Sequence, residues 1–174
     1  MDDRRLFVLR HAKSSHKHSG LSDHERPLSG RGYDALRRLR RAMEERAPDI
    51  EVVLCSSAAR TVATLEGVRA ALPERVQVTV DAELYGAGGQ SWLERCRSVG
   101  DDVAGVLVIG HNPGLEALVH QLAPTGETAA LELLARGFPT GALAELELPG
   151  PWSALEFDSC RLAALQIPRE LPDP

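Results

Sequence analysis

Apolar residues come in short blocks separated by longer amphipathic stretches. "LFVL" (6–9), "EVVLC" (51–55), "VQVTV" (76–80), "GVLVIG" (105–110) and "ALAELEL" (142–148) are bounded by polar or turn residues and predict strands. The first, second and fourth are continuous apolar runs, the pattern of central parallel strands covered on both faces. The third and fifth alternate, which predicts strands nearer an edge. "SALEF" (153–157) and "CRLAALQI" (160–167) are expected to pair as a late hairpin, with Pro168, Pro172 and Pro174 leaving the chain end in a frayed tail.

The stretches between have helical spacing. In 30–46, Leu36, Leu39 and Met43 form one apolar stripe, while Arg37, Arg38, Arg40 and Arg41 face away. In 58–72, Val62, Leu65, Val68 and Leu72 fall near one face. Residues 90–99, 113–122 and 127–135 also read as helices. Strand alternating with helix predicts an α/β domain with a mostly parallel sheet. No internal repeat divides the chain, so one domain is expected over 1–168 with a C-terminal tail at 169–174.

Composition narrows this little. A chain of 174 residues buries roughly 70% of its unfolded surface and needs no disulfide or metal to fold. Cys55, Cys96 and Cys160 are widely spaced and odd in number, as for free thiols in a reducing compartment. Aromatic residues make up only 4%, too few for a base-stacking platform, and the net charge of -5 argues against nucleic acid as a partner. The opening apolar run is too short for a signal peptide or a membrane span, so a cytoplasmic protein with no membrane partner is expected. Charge is unevenly spread, however. Residues 1–50 hold 12 Lys and Arg against 8 Asp and Glu, whereas 51–174 hold 8 against 17.

Three predicted strands end in the same grammar. "LFVLRH" stops on Arg10 and His11, "EVVLCSSAAR" opens a helix with Arg60 in its first turn, and "GVLVIGHNPGLEAL" stops on His111 before the next helix. There, Asn112 suits an N-cap and Pro113 a first helical position. Singly, each of these side chains is read more economically as a surface arginine or a loop histidine. Jointly they occupy the C-terminal edge of one sheet, where open α/β sheets bind ligands. A cation in a first helical turn opposes the helix dipole unless an anion shares the site. Two arginines and two histidines beside two helix N-termini describe a phosphate pocket.

The blocks "LFVLRHAKSS", "CSSAARTVAT" and "VIGHNPGLEAL", in this order, resemble the histidine phosphatase superfamily, which shares the phosphoglycerate mutase-like fold. "DHERPLSGRG" (23–32), "AELYGA" (82–87) and "FPTGALAELELP" (138–149) look most like its SixA-type phosphohistidine phosphatase branch. The resemblance implies a three-layer α/β/α sandwich and a covalent phosphohistidine intermediate. It implies His11 as nucleophile and Arg10, Arg60 and His111, the last protonated, as phosphate clamps. Glu83 matches the family's acidic position, and an exposed loop carboxylate is an equal reading of it. Ala12 stands where the superfamily usually has Gly. Lys17 occupies the position where the phosphoglycerate mutases place an Asn on phosphate; it is a candidate to supply a charge there, and pointing to water is the preferred reading. About 20 residues separate "CSS" from the third strand, room for one helix and no lid insertion.

The expected activity is metal-independent and cofactor-free hydrolysis of phosphohistidine in proteins. The alternatives are a phosphatase of small phosphate esters and a non-catalytic phosphate-binding module. A cysteine phosphatase would need a thiolate at Cys55 and leaves Arg10, His11 and His111 unused. A mutase acting on phosphoglycerate would need the missing lid.

Overall fold

A computed structural model describes residues 4–17, 19–46 and 49–173. The first three residues, and Pro174 of the expected tail, lie outside this range. In chain order, the main elements are β1 (Arg4–Arg10), α1 (Gly30–Arg46), β2 (Val52–Ser56), α2 (Ala59–Val68), β3 (Gln77–Asp81), α3 (Gly89–Arg97) and β4 (Gly105–Gly110). They continue with α4 (Gly114–Leu122), β5 (Thr125–Gly126), α5 (Thr128–Ala135), β6 (Leu143–Leu148) and β7 (Arg161–Gln166). One sheet runs in the order β3-β2-β4-β1-β6-β7-β5. The β3-β2-β4-β1 half is parallel, and β6 joins both β1 and β7 antiparallel.

The strand pleat sorts side chains into two cores. Phe7, Leu9, Val53, Cys55, Leu107 and Ile109 pack with Leu36, Leu39 and Met43 of α1 and with Leu65 and Val68 of α2. Leu6, Val8, Leu54, Val106 and Val108 face the other way, toward Trp92, Leu115, Leu118 and Leu134 of α3, α4 and α5. The α/β/α sandwich is therefore the expected one. Between β2 and β3 stand only α2 and a short 3-10 turn (Arg69–Ala71), with no lid insertion.

Three sequence expectations are corrected. The β6 strand alternates, yet it lies inside the sheet, not near an edge. Ala144, Leu146 and Leu148 enter the α3–α5 core, while the buried Glu145 forms an ion pair with Arg5 of the adjoining strand. Alternation there reflects a charge satisfied across strands, not exposure to water. Residues 153–157 form no strand. Trp152–Ala154 is a 3-10 turn whose Trp152 is fully buried and donates from Nε1 to the Val103 carbonyl at 2.8 Å. β7 pairs instead with β6 and β5. Finally, the chain end is tied down within the described residues: Pro168 is buried in a 3-10 turn, and Asp173 pairs with Arg38 of α1.

Candidate functional site

Parallel register brings the three strand ends level. Arg10 is the partner of Gly110 across β1 and β4, and Cys55 that of Ile109 across β2 and β4. The next residues out, His11, Ser56 and His111, therefore meet at one edge. The His11 N–H donates to the Gly110 carbonyl at 3.0 Å, and the two imidazole rings lie 5.2 Å apart. Gly141 closes the turn behind them. Its N–H reaches the carbonyls of Arg10 (3.1 Å) and His11 (3.0 Å), and it does so at a φ of +78°, where a side chain would be strained.

His11 is buried. Its Nδ1 lies 2.8 Å from the Ala12 carbonyl, which can only accept, so Nδ1 carries the proton and Nε2 keeps its lone pair. Burial pushes its pKa down to about 4; the Ala12 hydrogen bond opposes this, and Arg60, Arg10 and Arg26 add to it. The Ala12 methyl is fully buried against the α1–α2 core, where an alanine gains contact that glycine lacks. The Ala12 N–H donates to Thr64 Oγ1 at 3.0 Å, and that hydroxyl donates to the Arg60 carbonyl at 2.7 Å. One threonine thus ties the turn after His11 to the helix that carries Arg60.

His111 is also buried. Its Nε2 lies 2.9 Å from Ser56 Oγ, and its Nδ1 is buried with no partner among the described residues. Burial, then Arg60 and His11, push its pKa down to about 3, with Asp23 opposing. Burial above all, and then two arginines and a second imidazole, disfavour a charge on His111; the expected protonation is that of a ring beside a phosphate, whose negative charge would oppose these effects. A pocket of about 140 Å³ lies beside it, between the 86–89 turn and the start of α4.

Arg60 stands second in α2, as expected, and it is not uncompensated. Its Nη1 donates to the Asp23 carbonyl at 2.6 Å and its Nη2 to the Asp23 carboxylate at 3.0 Å. Asp23 also accepts from the Tyr85 hydroxyl at 2.7 Å and from Arg26 at 2.7 Å. These bonds, with Tyr85 the strongest contributor, hold its carboxyl down to about 2. The Tyr85 ring stands edge-on to His111 and to His24, with centroids 5.5 and 4.9 Å away. Asp23 and Tyr85 lie in the two loops quoted as "DHERPLSGRG" and "AELYGA", but nothing in their spacing shows that they meet.

Arg10 donates from Nη1 to the Phe138 carbonyl at 2.8 Å, and its Nε is buried without a partner among the described residues. Burial lowers its pKa, and the Glu116 charge opposes this. Glu116 accepts from Asn112 Nδ2 at 2.9 Å and from the Phe138 N–H at 3.1 Å, which fixes the loop that anchors Arg10. Asn112 is thus not the N-cap of α4. Its amide donates to Glu116 and to the Phe138 carbonyl, Pro113 takes the cap position, and the helix starts at Gly114.

The structure brings Arg10, His11, Arg60 and His111 together. Among the described residues the other two candidates are not tied to this cluster by hydrogen bonds. Lys17 is an exposed loop residue whose backbone N–H meets Ser15 Oγ. Glu83 is exposed in the 3-10 turn after β3, where its N–H is capped by Asp81. Among the described residues neither side chain makes a hydrogen bond or ion pair with the cluster. Cys55 is fully buried, and burial raises its thiol to about 12, so it supplies no thiolate.

An α/β/α domain with paired histidines and arginines on the parallel edge defines a phosphate-handling class. The chain belongs to the histidine phosphatase superfamily (branch 1), matched over residues 6–95. Within that family it is similar to the phosphohistidine phosphatase SixA of Escherichia coli (strain K12). The two are 33% identical over 147 residues, which cover 82% of this chain and 84% of that protein. Two solved structures extend the likeness. A protein of Nakamurella multipartitia assigned as SixA matches with a TM-score of 0.82 at 32% identity, covering 95% of this chain and 96% of that one. A protein histidine phosphatase SixA complexed with tungstate matches with a TM-score of 0.76 at 28% identity, covering 95% and 97%. Among the described residues no helix is long and apolar enough to cross a membrane.

Proposed function

We propose that the chain hydrolyses phosphohistidine in proteins through a phosphoryl group held transiently on His11. The observation that carries this reading is the tautomer of His11. A buried, neutral imidazole with Nδ1–H bound to the Ala12 carbonyl presents its Nε2 lone pair as a nucleophile. The likeness to SixA, and the tungstate bound by one such relative, support a tetrahedral oxyanion as the ligand.

In the first step Nε2 attacks phosphorus, the bond to the leaving imidazole breaks, and its electron pair stays on that nitrogen; a substrate ring that carries a proton on its other nitrogen leaves as a neutral imidazole without one from the protein. Water then attacks phosphorus, the His11–phosphorus bond breaks, and phosphate leaves with His11 neutral again. Phosphoryl transfer asks the protein mainly for position and charge. Arg10 and Arg60 offer forked N–H donors to the equatorial oxygens. With the Ser56 hydroxyl donating to Nε2 of His111, the His111 proton sits on Nδ1, which donates to a third oxygen without the ring being charged. The phosphoryl charge is met by side chains, so no metal is required. An imidazole leaves readily, which suits a site whose candidate acid, Glu83, is exposed and unlinked to the cluster.

The test is a screen of phosphohistidine proteins against small phosphate esters, with and without EDTA. Phosphohistidine turnover unchanged by chelator, with label trapped on wild type but not on His11→Ala, is expected. The His11→Ala variant should fold normally and lose activity by on the order of 10⁴-fold or more. Preference for esters, or recovery of a lost rate on adding a divalent metal, would refute the corresponding part.

A further inference from the structure

A second hollow, of about 340 Å³, opens beside the site. Arg10, Glu116, Arg136, Phe138, Pro139 and Arg169 are among its lining residues; His11, Arg60 and His111 are not. Its charge is out of character with the chain around it. Arg136 and Arg169 come from the acidic part of the sequence, where 8 Lys and Arg face 17 Asp and Glu. The one carboxylate in the wall, Glu116, is committed to the Asn112 amide and the Phe138 N–H. Arg136 makes no ion pair or side-chain hydrogen bond with a described residue. Among the described residues Arg169 pairs only with its neighbour Glu170, at 3.8 Å. Arg10 keeps a buried Nε without a partner among the described residues.

Arg136 alone would be explained by its place at the end of α5, where a cation meets the negative end of the helix dipole. That does not account for Arg169, from the 3-10 turn after β7, or for Arg10, from the end of β1. Three guanidinium groups from three separate segments share one hollow whose wall holds a single carboxylate, Glu116, so positive charge is in excess there. Like charges so placed repel unless an anion comes between them, and guanidinium forks fit carboxylates in pairs. Arg136 and Arg169 are exposed, so the hollow is open to an incoming chain.

The geometry points to an anion subsite, contiguous with the phosphoryl site through Arg10, that takes the carboxylate of an acidic residue flanking the phosphorylated side chain of a polypeptide substrate. This rests on the reading of the site as one that accepts phosphoproteins. The subsite itself binds without turnover. It makes the enzyme selective for phosphohistidine in an acidic sequence, and it makes that selectivity sensitive to salt, because its outer arginines are screened.

The test uses the double variant Arg136→Gln/Arg169→Gln, whose exposed positions carry no core packing. Steady-state kinetics are measured on a phosphohistidine peptide flanked by Glu, on the same peptide flanked by Gln, and on phosphoramidate. Wild type should show a KM about 5- to 10-fold lower for the Glu peptide than for the Gln peptide. The variant should lose that preference while kcat, and KM for phosphoramidate, stay unchanged. A labelled, unphosphorylated Glu-rich peptide supplies a readout independent of catalysis and should bind wild type but not the variant. If this peptide binds through Arg136 and Arg169 while no phosphohistidine is turned over, the subsite stands and the proposed activity fails. If both phosphopeptides are hydrolysed with equal KM, or the variant changes nothing, the subsite is wrong. A gain confined to small molecules bearing a second phosphate would also overturn the peptide assignment.

Discussion

The two arginines of the site look alike in sequence and sit differently in the fold. Arg60 is held on both sides of its fork by one residue, Asp23, whose carbonyl and carboxylate take Nη1 and Nη2. Among the described residues Arg10 pairs with no carboxylate and donates to a single carbonyl, that of Phe138, with its Nε left over. In the proposed site Asp23 therefore occupies the donors that Arg60 would offer an oxyanion, while Arg10 keeps donor capacity. Under the proposed function, a phosphate would meet unused donors on Arg10 and would exchange with Asp23 at Arg60. The difference also reverses an expectation from the helix dipole. An arginine in the first turn of α2 is unfavourable only while its charge is unanswered, and the loop after β1 answers it.

The largest effect that sharpens this contrast comes from removing each arginine. Both Arg10→Ala and Arg60→Ala should lower kcat by roughly 10²–10³-fold, the usual effect of deleting one donor to developing charge. Their stabilities should differ. Arg60→Ala frees Asp23 and loosens the 22–27 loop, so its melting temperature falls below that of Arg10→Ala. Thermal melts of the two variants check this, and a stabilised Arg60→Ala would restore the dipole argument and remove Asp23 from the account.

A smaller effect is expected for Asp23→Asn. Its carboxylate is half exposed, so the ion pair contributes at most about 1 kcal/mol. Vanadate or tungstate binding should accordingly tighten by about 2- to 5-fold. Weaker oxyanion binding in a calorimetric titration would instead assign Asp23 to positioning Arg60.

The smallest effect is a change that should not occur. With His11 pushed down to about 4 and His111 to about 3, kcat/KM should stay level from neutral pH to about pH 5. A decline centred near the ordinary histidine value would show that His11 is not desolvated by the cluster around it. Stability follows the same groups. The unfolded chain protonates these histidines more readily than the folded one, so their contribution is complete above the ordinary 6.5 and is lost as pH falls toward 4 and 3. Asp23, held at about 2 against an ordinary 3.8, contributes above that value and loses its contribution between the two. Acid melts should therefore begin to soften below about pH 6, before Asp23 titrates, and histidine NMR titrations assign the groups.

Much of this protein was legible along the chain because the relevant physics is local. Continuous apolar blocks such as "GVLVIG" are strands buried on both faces, and the Leu36–Leu39–Met43 stripe is one side of a helix. Since parallel strands end at the same edge, Arg10, His11, Arg60 and His111 could be collected in one place before any distance was known. The errors arose where a residue's partner is remote. Glu145 alternates like an edge residue because Arg5 answers it from β1, 140 positions earlier. Asn112 gives up its capping role to a loop at 138. Asp23 finds Arg60 and Tyr85 only because the loops after β1 and β3 close over the same strand ends. Periodicity and capping preferences are written in neighbouring residues, so the order of elements and the residues at strand ends follow from the sequence. Which charges neutralise one another depends on distances across the chain, and those the tertiary structure alone decides.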